Sequence, residues 1–463
     1  MTRPIVRDSA ASTVGVLLQG GARFAVSIMI GRLAGPVALA SVNGALALAA
    51  VASLLWPTSS GQAASIVLAR EEAAGRSELV PAVQRHLTRR TAAAVLVTLP
   101  GVVAAGLLLL GVDLSAAMWG GAVTAAFSAY NFVRGVQFGR GRILRATGWE
   151  AVSAVTTLAL LAAVLLADWS GLYLLPLTVG YGIYAIGGWP RAGAGRSELP
   201  RALRRELDHY VAWGVVGTVA STGMLHLSMI IAVASEDGRD AGMYAAAISV
   251  ATPAAMLATA FSMALAPTMA RSVGRADPHG LAAQTDAATR SLVAGMTLVF
   301  GAVFIAAPMV VGLLYGEEYA DAVLLVRILL VAVLASTLPI AAVNSMTAQG
   351  SRGVRTAAVM ASASLVLGLA FMVLLASVAG VVGVAVGFVI GALVKAVLLL
   401  GFVWRRDRLR WAGLAARAVL GAVGMSGVLL IEPAGVASRV GYALVFGAVW
   451  SAVSYRDVAG HKK

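Results

Sequence analysis

Apolar residues in this chain come in long runs, each near the 20 needed to cross a hydrocarbon core, with polar residues confined to the stretches between them. The runs predict helices; strands of a membrane barrel would show short segments of alternating polarity. Fourteen spans are expected, at 11–33, 37–67, 91–111, 115–137, 150–167, 171–189, 210–233, 241–267, 290–313, 321–345, 356–377, 381–403, 411–431 and 435–454. The basic opening MTRPIVRDS is followed by an apolar run that continues to about Leu33, long enough to span and be retained. The expected fold is therefore an all-α integral membrane protein.

The loops alternate in character. GVDLS, ADWSG, SEDGRD, YGEEYAD, SVAGVV and IEPAG are short and nearly uncharged or acidic, whereas the loops between them are longer and basic. The basic loops and the two termini hold 27 of the 35 Lys and Arg residues, the opposite loops hold Arg32, Arg239 and Arg439, and five lie within spans. The positive-inside rule places both termini in the cytoplasm, which requires an even number of spans. Trp119, Trp149, Trp169, Trp189, Trp404 and Trp411 fall at span ends, as an interfacial aromatic belt would.

Composition narrows the class. Of 463 residues, 59% are hydrophobic and 12% charged, about half the charge of a soluble domain, which excludes a water-soluble enzyme and a disordered chain. The net charge of +14 would suggest nucleic acid in a soluble protein; here the spans account for it by sidedness, and no nucleic-acid partner is expected. Cysteine is absent, so disulfides and thiolate chemistry are excluded. No hydrolytic, nucleotide or metal motif appears, and no enzyme activity, cofactor or metal is expected.

Charges inside spans are costly and mark function. All five are basic: Arg23, Arg134, Arg327, Lys395 and Arg417. Arg23 lies near the middle of span 1, with Gln19 one turn before it; Arg134 follows Asn131 in span 4; Lys395 is in span 12. Arg327 and Arg417 are close enough to span ends to snorkel. None of the 21 carboxylates lies deep in a span: Asp8, Glu150, Asp321 and Glu432 mark span edges. Arg134 and Lys395 fit snorkelling as well as a lumen-facing role. An interior lined by Gln19, Arg23, Asn131, Arg134 and Lys395 without acidic partners is expected to take an anionic substrate such as a phosphate or pyrophosphate. Pro57, Pro253 and Pro339 interrupt spans 2, 8 and 10 and are candidate hinges. Gly380, Gly383, Gly387 and Gly391 are spaced for one close-packed helix face. Asn43 and Asn344 are candidates to line the cavity or to bond between helices and His226 in span 7 to carry a proton, with a structural role expected for each.

A weak internal repeat pairs Gln137, Arg140 and Gly141 with Gln349, Arg352 and Gly353, and Ala69–Arg70 with Ala270–Arg271. It implies two six-helix lobes, 1–205 and 206–410, related by a pseudo-twofold axis along the membrane normal, with 411–463 adding two extra helices and a cytoplasmic tail.

Tyr315, Gly316, Tyr319, Ala322, Arg327, Ile328 and Leu329, together with Gly31, Arg32, Gly35 and Pro36 and the segments DAGMYAAAISVATP and FSMALAPTMAR, resemble bacterial polysaccharide (O-antigen-type) flippases. These belong to the multidrug/oligosaccharidyl-lipid/polysaccharide (MOP) flippase superfamily. The resemblance covers roughly residues 10–400 and departs at Asp240–Tyr244, where a second glycine is conventional at the span 7–8 turn. It implies a plasma (inner) membrane protein that moves an undecaprenyl-pyrophosphate-linked oligosaccharide to the outer leaflet by alternating access. A polysaccharide polymerase and assembly proteins are implied partners, alongside membrane lipids. The lipid II flippase branch and a drug exporter are the alternatives, the latter disfavoured by the missing membrane carboxylate.

The topology is directly testable. A phosphatase inserted at Asp237 should be active, and one inserted at Ser197 inactive; a green fluorescent protein reporter should give the opposite pattern.

Overall fold

A computed structural model describes residues 2–189, 198–427 and 435–459. Arg191, Arg196, Glu432, Lys462 and Lys463 lie outside these. Among the described residues the structure is helical, without a strand. The helices are α1 (Thr2–Leu55), α2 (Pro57–Ala73), α3 (Val80–Leu109), α4 (Leu114–Gly139), α5 (Ile143–Leu166), α6 (Leu175–Gly187) and α7 (Arg201–Ser235). They continue with α8 (Gly238–Gly274), α9 (Pro278–Tyr315), α10 (Ala322–Thr337), α11 (Ile340–Ala348), α12 (Ser351–Arg406), α13 (Ala412–Ser426) and α14 (Val436–Ala459).

The longest helices each hold more than one span. An unbroken helix of 54 residues, the length of α1, would run about 80 Å, far beyond a ~30 Å hydrocarbon core. α1 breaks at Gly35 (φ 84°, ψ 179°), a backbone conformation that a side chain would strain, and Pro36 follows. The 56-residue α12 breaks likewise at Ala379 and Gly380 (φ 55°, ψ −140°). Gly380 is therefore the turn of a helical hairpin and not part of a packing face. Gly383 and Gly387 do pack: a Cβ on either would collide with backbone at Leu375 or Met372 of the preceding limb.

Two of the three candidate hinge prolines sit at real breaks. Helix stops at Leu55 and resumes at Pro57, with Trp56 (φ −154°, ψ −50°) between. Pro339 separates α10 from α11. Pro253 lies within the continuous helix α8.

The chain divides into two compact units, Met1–Gly242 and Met243–Lys463, so α7 belongs with the first. Within the first, α1 packs on α4, α5 and α7, while α2 packs on α3 and α4. In the second, α10 and α11 pack on α9 and α12. The same series of left-handed turns recurs in both: Gly75, Gly111, Gly141 and Asp168, then Ala276, Gly316, Gly350 and Gly380. Backbone conformation thus pairs Gly141 with Gly350, correcting the pairing with Gly353, which lies inside α12 against Met346.

Several residues of the resemblance turn out to shape the second unit. Gly316 (φ 95°) turns the chain between α9 and α10, and the buried rings of Tyr315 and Tyr319 pack 5.0 Å apart beside it. Arg327 lies over the Phe304 ring at 5.6 Å and donates to its carbonyl at 3.4 Å. α13 and α14 dock on α9: Trp450 Nε1 donates to the Ala294 carbonyl (2.8 Å), and Trp411 Nε1 donates to Asp286 (2.6 Å).

The α2–α3 connection is tied by a buried carboxylate at the end of α2. Glu71 accepts from Arg76 Nε (2.6 Å) and Arg70 Nε (3.1 Å), and these hydrogen bonds, that from Arg76 foremost, hold its carboxyl below the ordinary glutamate value.

Helices α2 and α4 approach backbone to backbone. A Cβ on Gly61 would lie 2.6 Å from the Asn131 carbonyl oxygen, and one on Gly135 would strike the Gly61 backbone. Gly135→Ala should therefore cost about 1–3 kcal/mol by overpacking and lower the unfolding midpoint in detergent by several degrees. Gly217→Ala, with open space around it on α7, should leave the midpoint unchanged or raised.

Candidate functional site

One set of buried and half-buried polar residues in the first unit gathers at one face of α4. Phe127, Tyr130, Asn131, Arg134 and Phe138 recur at helical spacing along it. α1 brings Arg23 to this face with Gln19 one turn before it, α5 brings Glu150, and α6 brings Tyr181 and Tyr184, while His226 of α7 lies within electrostatic reach of Arg23.

Arg23, half-buried, sits with its guanidinium carbon 5.4 Å from the centre of the Phe127 ring and acts electrostatically on His226. Among the described residues it meets no carboxylate. A ring face attracts a cation by about 0.5–2 kcal/mol but leaves its N–H donors unused. Gln19 places its buried Oε1 one turn away, without a hydrogen-bond partner among the described residues. Phe127 continues into an aromatic cluster, with Tyr181 at 5.1 Å and Tyr130 at 6.2 Å; Tyr130 packs edge-on against Tyr184 at 4.6 Å.

Arg134 is differently placed. Its Nε donates to Glu150 Oε1 at 2.6 Å, its guanidinium lies 4.8 Å from the Phe138 ring, and the Tyr130 hydroxyl donates to the same Oε1 at 3.3 Å. Glu150 is fully buried. This revises the expectation of basic residues without acidic partners, and that of a carboxylate at a span edge. α5 begins at Ile143, two turns earlier than the apolar run, so Glu150 is carried into the packed interior. Gly15 on α1 makes the room: any Cβ there would overlap the Glu150 carboxylate. The pair is incompletely satisfied, since Glu150 Oε2 and Arg134 Nη2 have no hydrogen-bond partner among the described residues.

Asn131 faces the break in span 2. Its Nδ2 donates to Ser53 Oγ (3.1 Å), which shares a hydrogen bond with Thr58 Oγ1 (3.0 Å) across Trp56 and Pro57. The second unit has a counterpart in Asn344, whose Nδ2 donates to Ser262 Oγ at 2.9 Å. Asn43 instead bonds within its own helix, to the Leu39 carbonyl. Lys395 is buried in α12 of the second unit.

The structure therefore brings Gln19, Arg23, Asn131 and Arg134 onto α4 and its neighbours, and places Lys395 in the other unit. Glu150 and the three tyrosines were missed. Their signal lay in the i, i+3, i+7 spacing of Phe127, Tyr130 and Arg134, which marks an aromatic and cationic stripe.

No protein-family model matches the sequence, and no curated protein matches it. Solved structures do. The fold is similar to an inward-facing multidrug resistance MATE family transporter of the MOP superfamily, with a TM-score of 0.70 and 14% identity over 86% of this chain and 98% of that one. It is similar to the lipid II flippase MurJ in an inward closed conformation, with a TM-score of 0.71 and 10% identity over 98% and 100%. A mutant of the Vibrio cholerae MATE transporter VcmN matches with a TM-score of 0.64 and 16% identity over 88% and 97%. The chain thus has the fold shared by this MATE structure and MurJ.

Removing Glu150 alone should strand Arg134 in the interior. Glu150→Ala is expected to cost about 3–5 kcal/mol, whereas Arg134→Met combined with Glu150→Leu should recover most of that loss, read by thermal unfolding in detergent.

Proposed function

We propose that the protein is a flippase for a polyprenyl-pyrophosphate-linked saccharide, carrying its head group from the cytoplasmic to the outer leaflet for cell-surface polysaccharide biosynthesis. The observation that carries this reading is Arg23: a guanidinium in the middle of span 1, backed by an aromatic ring, beside His226 and without a carboxylate among the described residues. Such a cation is poised for an anionic ligand, and a pyrophosphate offers the oxygens its N–H donors lack.

Arg134 enters by exchange. A pyrophosphate reaching it competes with Glu150 for the guanidinium, and Nη2 has no hydrogen-bond partner among the described residues before the cargo arrives. Gln19 and Asn131 would hydrogen-bond the head group, and Lys395 is assigned the same anion-binding chemistry within the second unit. The breaks at Pro57 and Pro339 are proposed hinges for alternating access, with Pro253 a third in α8. The polymerase and assembly proteins that handle the exported saccharide are proposed partners.

A second reading is favoured by one specific observation. The buried Glu150 supplies the membrane carboxylate that a coupled small-molecule exporter requires. Transport in proteoliposomes separates the two. Arg23→Ala should lower flipping of a pyrophosphate-linked saccharide at least tenfold with normal membrane insertion, and Arg23→Lys should keep part of the activity. Full activity in Arg23→Ala removes the pyrophosphate reading. Export of cationic drugs that depends on Glu150 establishes the other.

A further inference from the structure

A second concentration of cationic chemistry lies at the start of α3, away from Arg23. An open cavity of about 190 Å³ is lined there by Gln84, Arg85, Thr88 and Arg89 of α3 and by Trp189 just beyond α6. Helical spacing sorts the basic residues of this segment into two faces. His86 and Arg90 meet Asp208 of α7, at 2.9 and 3.2 Å, so one carboxylate offsets that side. Arg85 and Arg89 point to the cavity side instead, and the exposed Arg89 makes no ion pair among the described residues.

The wall chemistry fits a phosphoryl group. Two guanidinium forks one helical turn apart offer more donors than one carboxylate can accept, and the Thr88 hydroxyl and Gln84 amide stand beside them. The depth fits a head group. α3 changes at Thr91 from a polar segment to the apolar run that spans, which sets the cavity at the membrane surface. The indole of Trp189, 38% exposed and set 6.2 Å from the Phe132 ring, is the residue type that occupies that layer.

We propose that this cavity binds the phosphoryl group of a membrane lipid head group, as a site separate from Arg23. The phosphoryl can be borne by an anionic phospholipid or by a polyprenyl pyrophosphate, and both present the same oxygens to Arg85 and Arg89. The site does not depend on the flippase reading, because bulk lipid alone satisfies its chemistry.

Native mass spectrometry of the delipidated full chain in detergent tests this with three probes: phosphatidylglycerol, undecaprenyl pyrophosphate and inorganic pyrophosphate. The double variant Arg85→Gln with Arg89→Gln should retain phosphatidylglycerol at least tenfold more weakly, and undecaprenyl pyrophosphate likewise in an Arg23→Ala background. Arg89→Gln alone, at an exposed position that folding tolerates, should weaken them several-fold. Arg90→Gln, on the Asp208 face, should retain this binding, and Arg23→Ala should leave the phosphatidylglycerol arm unchanged. Loss confined to phosphatidylglycerol identifies bulk phospholipid as the ligand, and loss confined to undecaprenyl pyrophosphate identifies the polyprenyl carrier. Unchanged retention in the folded Arg89→Gln and double variants overturns the site. Inorganic pyrophosphate bound as tightly as either lipid overturns its assignment to a lipid head group.

Discussion

In hydrocarbon every backbone N–H and C=O must find its partner inside its own helix, and the rest of this structure depends on how that demand is met where helices stop. The chain interrupts its helices at few places, each with a local reason. Gly35 and Gly380 adopt left-handed backbone at the turns of α1 and α12. At Trp56–Pro57 the break falls inside a span, and side chains bridge it. Ser53, Thr58 and Asn131 form a hydrogen-bonded chain across it, and Gly61 lets α4 approach closely enough for Asn131 to reach. The close α2–α4 contact and the bridged break are thus one feature: without the small residues, the Asn131 amide would not reach Ser53.

The same medium governs the charges. A buried carboxylate beside a buried guanidinium is weak evidence for stability, because desolvation offsets much of the attraction. The Arg134–Glu150 pair, with one oxygen and one N–H group lacking a hydrogen-bond partner among the described residues, is better understood as a poised polar element than as a clamp. Arg23 stands on the same aromatic stripe in a different electrostatic state, held by a ring instead of an anion. Two cations meet one face of α4, Arg134 on that helix and Arg23 from α1, one offset by a carboxylate and one held by a ring. That asymmetry is what the proposed function uses.

What the sequence determined by itself was everything that depends on local hydropathy. The apolar runs map onto the helices among the described residues, the interruptions at Pro57 and Pro339 fall at actual breaks, and Gly35–Pro36 breaks α1 where a turn was expected. These are properties of a segment and the medium around it, so a single chain displays them. Tertiary structure decided which charges are partnered. Glu150 read as a span edge because the apolar run begins there, while the helix itself begins at Ile143. Its burial depends on Gly15 of α1, and its pairing on Arg134 of α4, neither of which is near it on its own helix. Gly380, one of four evenly spaced glycines, was a turn and not a packing face, since spacing does not report φ. Charge neutralisation and close approach are set between helices, where neighbours in space are strangers in sequence, and only the packed structure brings them together.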